Sequence, residues 1–184
     1  MKPVGKSKMQ RTVLTGVFAA LLAVLSQIAI PLPTGVPITL QTFAVALCGY
    51  VLGPGMGALS VGVYLALGAV GLPVFAGFSG GVGAFVGMTG GYLWAFLPMA
   101  YLCGLGAAQG KKLVALALGV AGLVVCHVCG AVQFALVQSV SPLQAFLIAS
   151  LPYLLKDVVS VVAAYGAARA ILFSLKKAKL GNAL

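Results

Sequence analysis

Acidic side chains are all but missing from this chain: among its 184 residues there is one Asp, Asp157, and no Glu. A single acid excludes paired-carboxylate catalysis within the chain, and no nucleophile and base pair is present beyond His127 and the thiols. Charge of either sign is scarce at 7% of residues, while 62% are apolar and the mean hydropathy is +1.17. That balance lies far from that of a soluble domain and makes lipid the expected solvent. An acid in lipid is costly, about 2.5 to 3.5 kcal/mol near the middle of a helix. Asp157, inside the apolar stretch from Leu151 to Phe173, is therefore expected to face a bundle interior or a wet cavity.

The charges that are present are almost all basic, and the net charge is +10. A nucleic-acid reader gathers such groups on one water-facing surface, whereas here they sit at the ends of apolar runs, so no nucleic-acid partner is expected. Lys2, Lys6, Lys8 and Arg11 precede the first run, Lys111 and Lys112 separate the fourth and fifth, and Arg169, Lys176, Lys177 and Lys179 close the last. The runs read as spans over Thr12 to Ile30, Ile38 to Leu52, Gly55 to Leu72, Gly91 to Gln109, Leu113 to Gln138 and Pro152 to Phe173. This predicts an all-α integral membrane protein: six transmembrane helices in one compact bundle formed by residues 1–184. With both termini cytoplasmic, residues 1–11 form a basic N-terminus and 174–184 a basic tail, and the Lys111 and Lys112 turn is also inside. The outer connections then carry no charge. Pro31, Pro33 and Pro37 mark the first connection, Gly53, Pro54 and Gly55 a tight turn, and Pro142 to Leu151 an outer or interfacial segment too short to span. The first run, about 19 residues without a small-x-small cleavage site, is read as a retained helix rather than a cleaved signal.

Familiar chemical motifs are missing. The nearest approach to a phosphate loop, Gly104 to Lys112, has neither the glycine spacing nor the Lys-Ser/Thr pair, and no HExxH occurs. No enzymatic activity and no cofactor is expected. Cys126 and Cys129 lie at i and i+3, a spacing that can hold a soft metal, but His127 points away from them and no fourth ligand exists. Packing thiols with a satisfied His, and no metal, is the preferred reading.

Glycine is abundant, with 25 residues. On the first span, Gly16 with Ala20 and Ala19 with Ala23 form small-xxx-small faces, suited either to internal packing or to a partner helix. Between Leu72 and Tyr92 the glycines are denser, mixed with aromatics and free of charge. Such a segment is a poor lipid-facing helix and is expected to line or cover a cavity.

The run from Ile30 to Leu93 resembles the BioY family, the biotin-specific substrate-binding components of energy-coupling factor (ECF) transporters. The resemblance is carried by Leu40, Gln41 and Thr42 after the Pro-rich connection, LGPGMG at Leu52 to Gly57, GLPVFAG at Gly71 to Gly77 and TGGYL at Thr89 to Leu93. It implies high-affinity capture of biotin in a cavity open to the outside of the cytoplasmic membrane, with a transmembrane coupling protein and two ATP-binding subunits as partners. It also implies that Ala19 and Ala23 dock on the coupling protein. The competing class is a secondary carrier in which Lys156 and Asp157 relay ions or protons.

Biotin joins a carboxylate, through an apolar chain, to a ureido group that has two N–H donors and a carbonyl acceptor. Asp157 is suited to accept from those N–H groups and Lys156 to meet the carboxylate. Phe75, Phe78 or Tyr92 would pack on the apolar middle, and Thr89 closes the same glycine-rich segment. Backbone N–H groups at Gly80, Gly81, Gly90 and Gly91 offer contacts without side-chain bulk. Gln41 and Thr42 either bond ligand or serve the start of span two, where Thr39 is the better cap. Family members tend to carry a Lys one helical turn after this Asp, where this chain has Ser160; its Lys comes immediately before. Lys156 therefore reaches the ligand from another angle, snorkels to the headgroups, or pairs with Asp157 at the cavity rim.

Overall fold

The computed structural model describes residues 7–177. Lys2, Lys6 and Lys179 lie outside the described residues. The first helix, α1 (Lys8–Ser26), starts at a capping box in which the Ser7 hydroxyl accepts from the Gln10 backbone N–H and the Gln10 side chain accepts from that of Ser7. It begins four residues before Thr12 and stops short of Ile30. The chain then forms two short antiparallel strands, β1 (Ala29–Ile30) and β2 (Ile38–Thr39), that close the proline-rich connection into a loop.

The second helix, α2 (Gln41–Leu52), has 12 residues and spans about 18 Å, well short of a bilayer core of about 30 Å. Its length is not set by lipid, because every residue except Phe43 is buried and it packs against α1 and three later helices: α3 (Pro54–Ala69), α5 (Gly90–Ala108) and α8 (Leu151–Lys177). Gly53 joins α2 to α3 with φ of +82°, a region that favours glycine, and Pro54 opens α3 where its missing N–H costs nothing. After α3, a 3-10 turn (Ala76–Phe78) and a four-residue helix, α4 (Gly83–Val86), fold the glycine-rich segment.

Helix α5 runs antiparallel to α6 (Lys112–Gln138), with the Lys111 turn between them. The two backbones abut along their length. A Cβ at Gly106 would come within 2.7 Å of Ala115 Cα, one at Gly122 within 3.0 Å of Met99 Cα, and one at Gly91 would strike the Cys129 carbonyl. The predicted interfacial segment is α7 (Pro142–Ala149), with its own capping box from Ser141 and Gln144. It leads into α8, where Pro152 sits in the first turn and Lys176 and Lys177 in the last, the end at which cations are favoured.

Each of the six apolar runs is thus helical over most of its length. The helices α1, α5, α6 and α8 are long and apolar enough to cross a membrane, and α2 and α3 are shorter apolar helices. The connections 27–40, 70–89 and 139–150 meet at one end of the bundle. The Gln27 side chain donates to the Val74 carbonyl at 3.0 Å and accepts from the Phe78 N–H at 3.0 Å. Tyr153 donates to the Val36 carbonyl at 2.6 Å and bonds Thr34 at 2.9 Å. The Gly53 and Lys111 turns lie at the opposite end.

Candidate functional site

A cavity of about 490 Å³ opens where those three connections meet. The start of α5 supplies Tyr92, Leu93 and Phe96, α8 supplies Tyr153, Lys156 and Asp157, and α6 supplies His127. The start of α2 adds Gln41 and Thr42, and the loop from Pro31 to Pro37 forms another wall.

Asp157 is 5% exposed. Its Oδ1 pairs with the Lys156 ammonium and its Oδ2 lies 3.3 Å from His127 Nε2, short of hydrogen-bond alignment. Thr42 stands beside the same carboxylate. Although Lys156 leaves the helix about 100° away from Asp157, its long stem folds back so that Nζ also donates to the Thr39 carbonyl at 3.0 Å. Lys156 thus pairs with Asp157, one of its three sequence-based roles, while also lining the cavity. The cation therefore fastens α8 to the strand that ends the proline-rich loop.

Gln41 lines the cavity but has both ends of its amide engaged. Its oxygen accepts from the Thr39 hydroxyl at 3.0 Å and its nitrogen donates to the Tyr64 hydroxyl at 2.9 Å, which in turn meets Ser26 at 3.0 Å. The Thr39 hydroxyl also accepts from the Gln41 backbone N–H at 3.3 Å, but the N-cap position of α2 is Leu40, which makes no side-chain cap bond, so Thr39 is not the expected cap. Phe75 is buried in the wall, edge-on to Tyr64 and Phe85. Tyr92 presents its ring to the cavity while its hydroxyl donates to the Ala149 carbonyl and meets Ser150 at 3.2 Å. Thr89 lines the same wall at the start of α5.

Other expected residues lie elsewhere. Phe78 is 72% exposed on the outer surface because the 3-10 turn directs it away from the bundle. Ser160 is buried one turn below Asp157, outside the cavity lining. Gly80, Gly81, Gly90 and Gly91 do not line the cavity either. A Cβ at Gly80 would strike the Leu72 carbonyl, and one at Gly90 the Phe85 carbonyl, so these glycines permit close backbone approach. Their N–H groups are also spoken for where bonds are resolved: Gly81 donates to the Gly68 carbonyl at 2.7 Å and Gly90 to that of Gly87 at 3.1 Å. On α1, Ala19 is 1% exposed within the chain's own core and Ala23 is half-buried, whereas Gly16 and Ala20 are exposed. Cys126 is buried against Met99 while Cys129 is exposed.

Sequence reasoning missed His127 and Tyr153. His127 is not a satisfied core histidine: it is 4% exposed, lines the cavity, and neither ring nitrogen has a hydrogen-bond partner. The signal for it was the row Val120, Val124, Val128, Val132 and Leu136, exposed at fourfold spacing, which sets the outer face of α6 and puts His127 inside. Tyr153, Asp157, Val161, Ala164 and Ala168 likewise trace the buried stripe of α8.

A bundle of apolar helices around a largely apolar cavity, with one buried ion pair and one histidine at its wall, defines a multi-pass membrane protein that holds a small ligand. The sequence matches the BioY family over residues 1–177, and the chain belongs to that family. It is 40% identical over 157 residues to the probable biotin transporter BioY of Pyrococcus horikoshii, covering 85% of this chain and 93% of that one. The biotin transporter BioY of Thermotoga maritima is 48% identical over 124 residues, covering 66% of this chain and 72% of its own length. That of Rhodobacter capsulatus is 46% identical over 138 residues, covering 71% and 73%. A solved crystal structure, the S-component for biotin from an ECF-type ABC transporter, matches with a TM-score of 0.82 at 26% identity, over 89% of this chain and 91% of that one. The family is one of transporters, not enzymes.

Proposed function

We propose that this chain captures biotin and serves as the substrate-binding component of an ECF-type transporter. The observation that carries the reading is the cavity itself. Apolar and aromatic walls from Phe75, Tyr92 and Phe96 suit the ligand's valeryl chain and fused rings, and the Lys156, Asp157 and His127 cluster offers charge and hydrogen bonds to its two polar ends. Relatives named as biotin transporters support the same ligand.

In this reading six helices cross the cytoplasmic membrane, both termini and the Lys111 turn are cytoplasmic, and the cavity opens to the outside. The basic residues at the opposite end of the bundle from the cavity support that orientation. A transmembrane coupling protein and two ATP-binding subunits drive release. On α1 the small residues left free for such a partner are Gly16 and Ala20, while Ala19 and Ala23 serve the chain's own packing.

Equilibrium binding of radiolabelled biotin to the purified full chain tests the reading. Binding with a Kd below micromolar is the expected result. A chain that binds no biotin but conducts protons or ions in liposomes would instead make the Lys156 and Asp157 pair an ion relay.

A further inference from the structure

Four buried side-chain nitrogen or oxygen atoms among the described residues lack a hydrogen-bond partner: Thr15 Oγ1, Asp157 Oδ1, and both ring nitrogens of His127. Three of the four stand together at the cavity wall, and Asp157 Oδ1 has the Lys156 ammonium as an ion-pair partner. Both ring nitrogens of the imidazole are therefore buried at the cavity wall without a hydrogen-bond partner. Buried polar groups are seldom left unpaired, and an exception in a binding site calls for a partner supplied from outside.

The surroundings fix which partner fits. Asp157 Oδ2 lies 3.3 Å from Nε2. An ionised carboxylate only accepts, so a ring with one hydrogen carries it on Nε2 and keeps a lone pair on Nδ1. The ring is also held in place. Tyr92 meets it edge-on with centroids 6.0 Å apart, and the Ser150 hydroxyl donates to the His127 backbone carbonyl at 3.3 Å, fixing this turn of α6 against the start of α8.

We propose that His127 is a ligand-contacting residue whose Nδ1 accepts a hydrogen bond from an N–H of the bound ring system, with Asp157 setting the tautomer. The proposal rests on the biotin reading above and extends it. The two ureido N–H groups are then shared between two acceptors, Asp157 and His127, instead of both falling to the carboxylate. The site becomes selective for a head group that donates twice, and a ring offering only one N–H leaves one acceptor empty.

The chain contains a single histidine, so 15N-histidine labelling gives one pair of ring resonances. In the full chain without ligand, one ring nitrogen should carry hydrogen and the other should not. Saturation with biotin, verified in the same sample by radiolabel, should move the unprotonated resonance upfield as it accepts a bond. Bound biotin with that resonance unmoved, or a ring protonated on both nitrogens, overturns the proposal. A wild-type chain that binds no biotin at all overturns the transporter reading and the proposal with it, and the radiolabel separates that failure from the first.

A second measurement pairs His127→Phe, which keeps a ring and removes the acceptor, with the two mono-N-methylated biotins. The variant should bind biotin about 10-fold more weakly. One N-methyl isomer should lose a similar factor in the wild type and nothing further in His127→Phe, as expected when both changes delete the same bond. Equal penalties for the two isomers in both proteins would show that His127 only positions Asp157.

Discussion

The Asp157 carboxylate pairs with Lys156 at Oδ1, has His127 Nε2 3.3 Å from Oδ2, and borders open space. Asp157→Asn keeps the shape and removes the charge that favours N–H donors. Biotin affinity should fall about 10- to 100-fold with an unchanged elution profile in size-exclusion chromatography; unchanged affinity would make the acid purely structural. Lys156→Met should weaken biotin more than the uncharged biotin amide if the ammonium also meets the ligand carboxylate, and titration of both ligands separates the two roles. Because that change strands a buried carboxylate, its Tm should fall further than that of Lys156→Met combined with Asp157→Asn. Asp157 and Lys156 stand out in the sequence as charges in an apolar run, whereas Tyr92, Phe75, Thr89, Gln41 and Thr42 are singled out through the family resemblance; all seven line the cavity. The glycines were harder to read. Gly90 and Gly91 look like ligand-facing backbone until the neighbouring Phe85 carbonyl and the α6 backbone are in place, because a missing Cβ gives no sign of what fills its space.

Among the elements, the proline-rich loop is where sequence and structure part most. The apolar periodicity that located the helices continues through Ala29, Ile30 and Ile38, so these residues read as helix ends, yet they pair as strands two residues long. Pairs that short leave no alternation to detect. The loop they close is tied to α8 by Tyr153 and Lys156, residues more than a hundred positions away. Tyr153→Phe removes two of those ties without changing the ring. Its expected effect is a biotin dissociation rate faster by about 5- to 10-fold, read by chasing bound radiolabel, and an unchanged rate would show that the loop holds its place without the hydroxyl. Helix packing gives a second contrast. Gly91→Leu must push α6 away and should lower Tm sharply, whereas Gly16→Leu, whose added Cβ meets nothing within 4 Å, should leave it nearly unchanged.

For the whole molecule, basic residues at one end and uncharged connections at the other predict a fixed orientation. In a background lacking Cys48, Cys103, Cys126 and Cys129, a membrane-impermeant maleimide should label Ser139→Cys in intact cells and Lys112→Cys only after permeabilisation. The reverse pattern would place the cavity on the cytoplasmic side. The seam between α5 and α6 bears on how such a molecule moves. With backbone against backbone at Gly91, Gly122 and Gly106, the pair has no side-chain cushion to absorb sliding and acts as a stiff keel. The loop from Pro31 to Pro37, with the strand that ends it, is joined to α8 by hydrogen bonds of the Tyr153 hydroxyl and the Lys156 ammonium, a lighter attachment than this seam, so any larger displacement in the bilayer is expected to carry the keel as a single body.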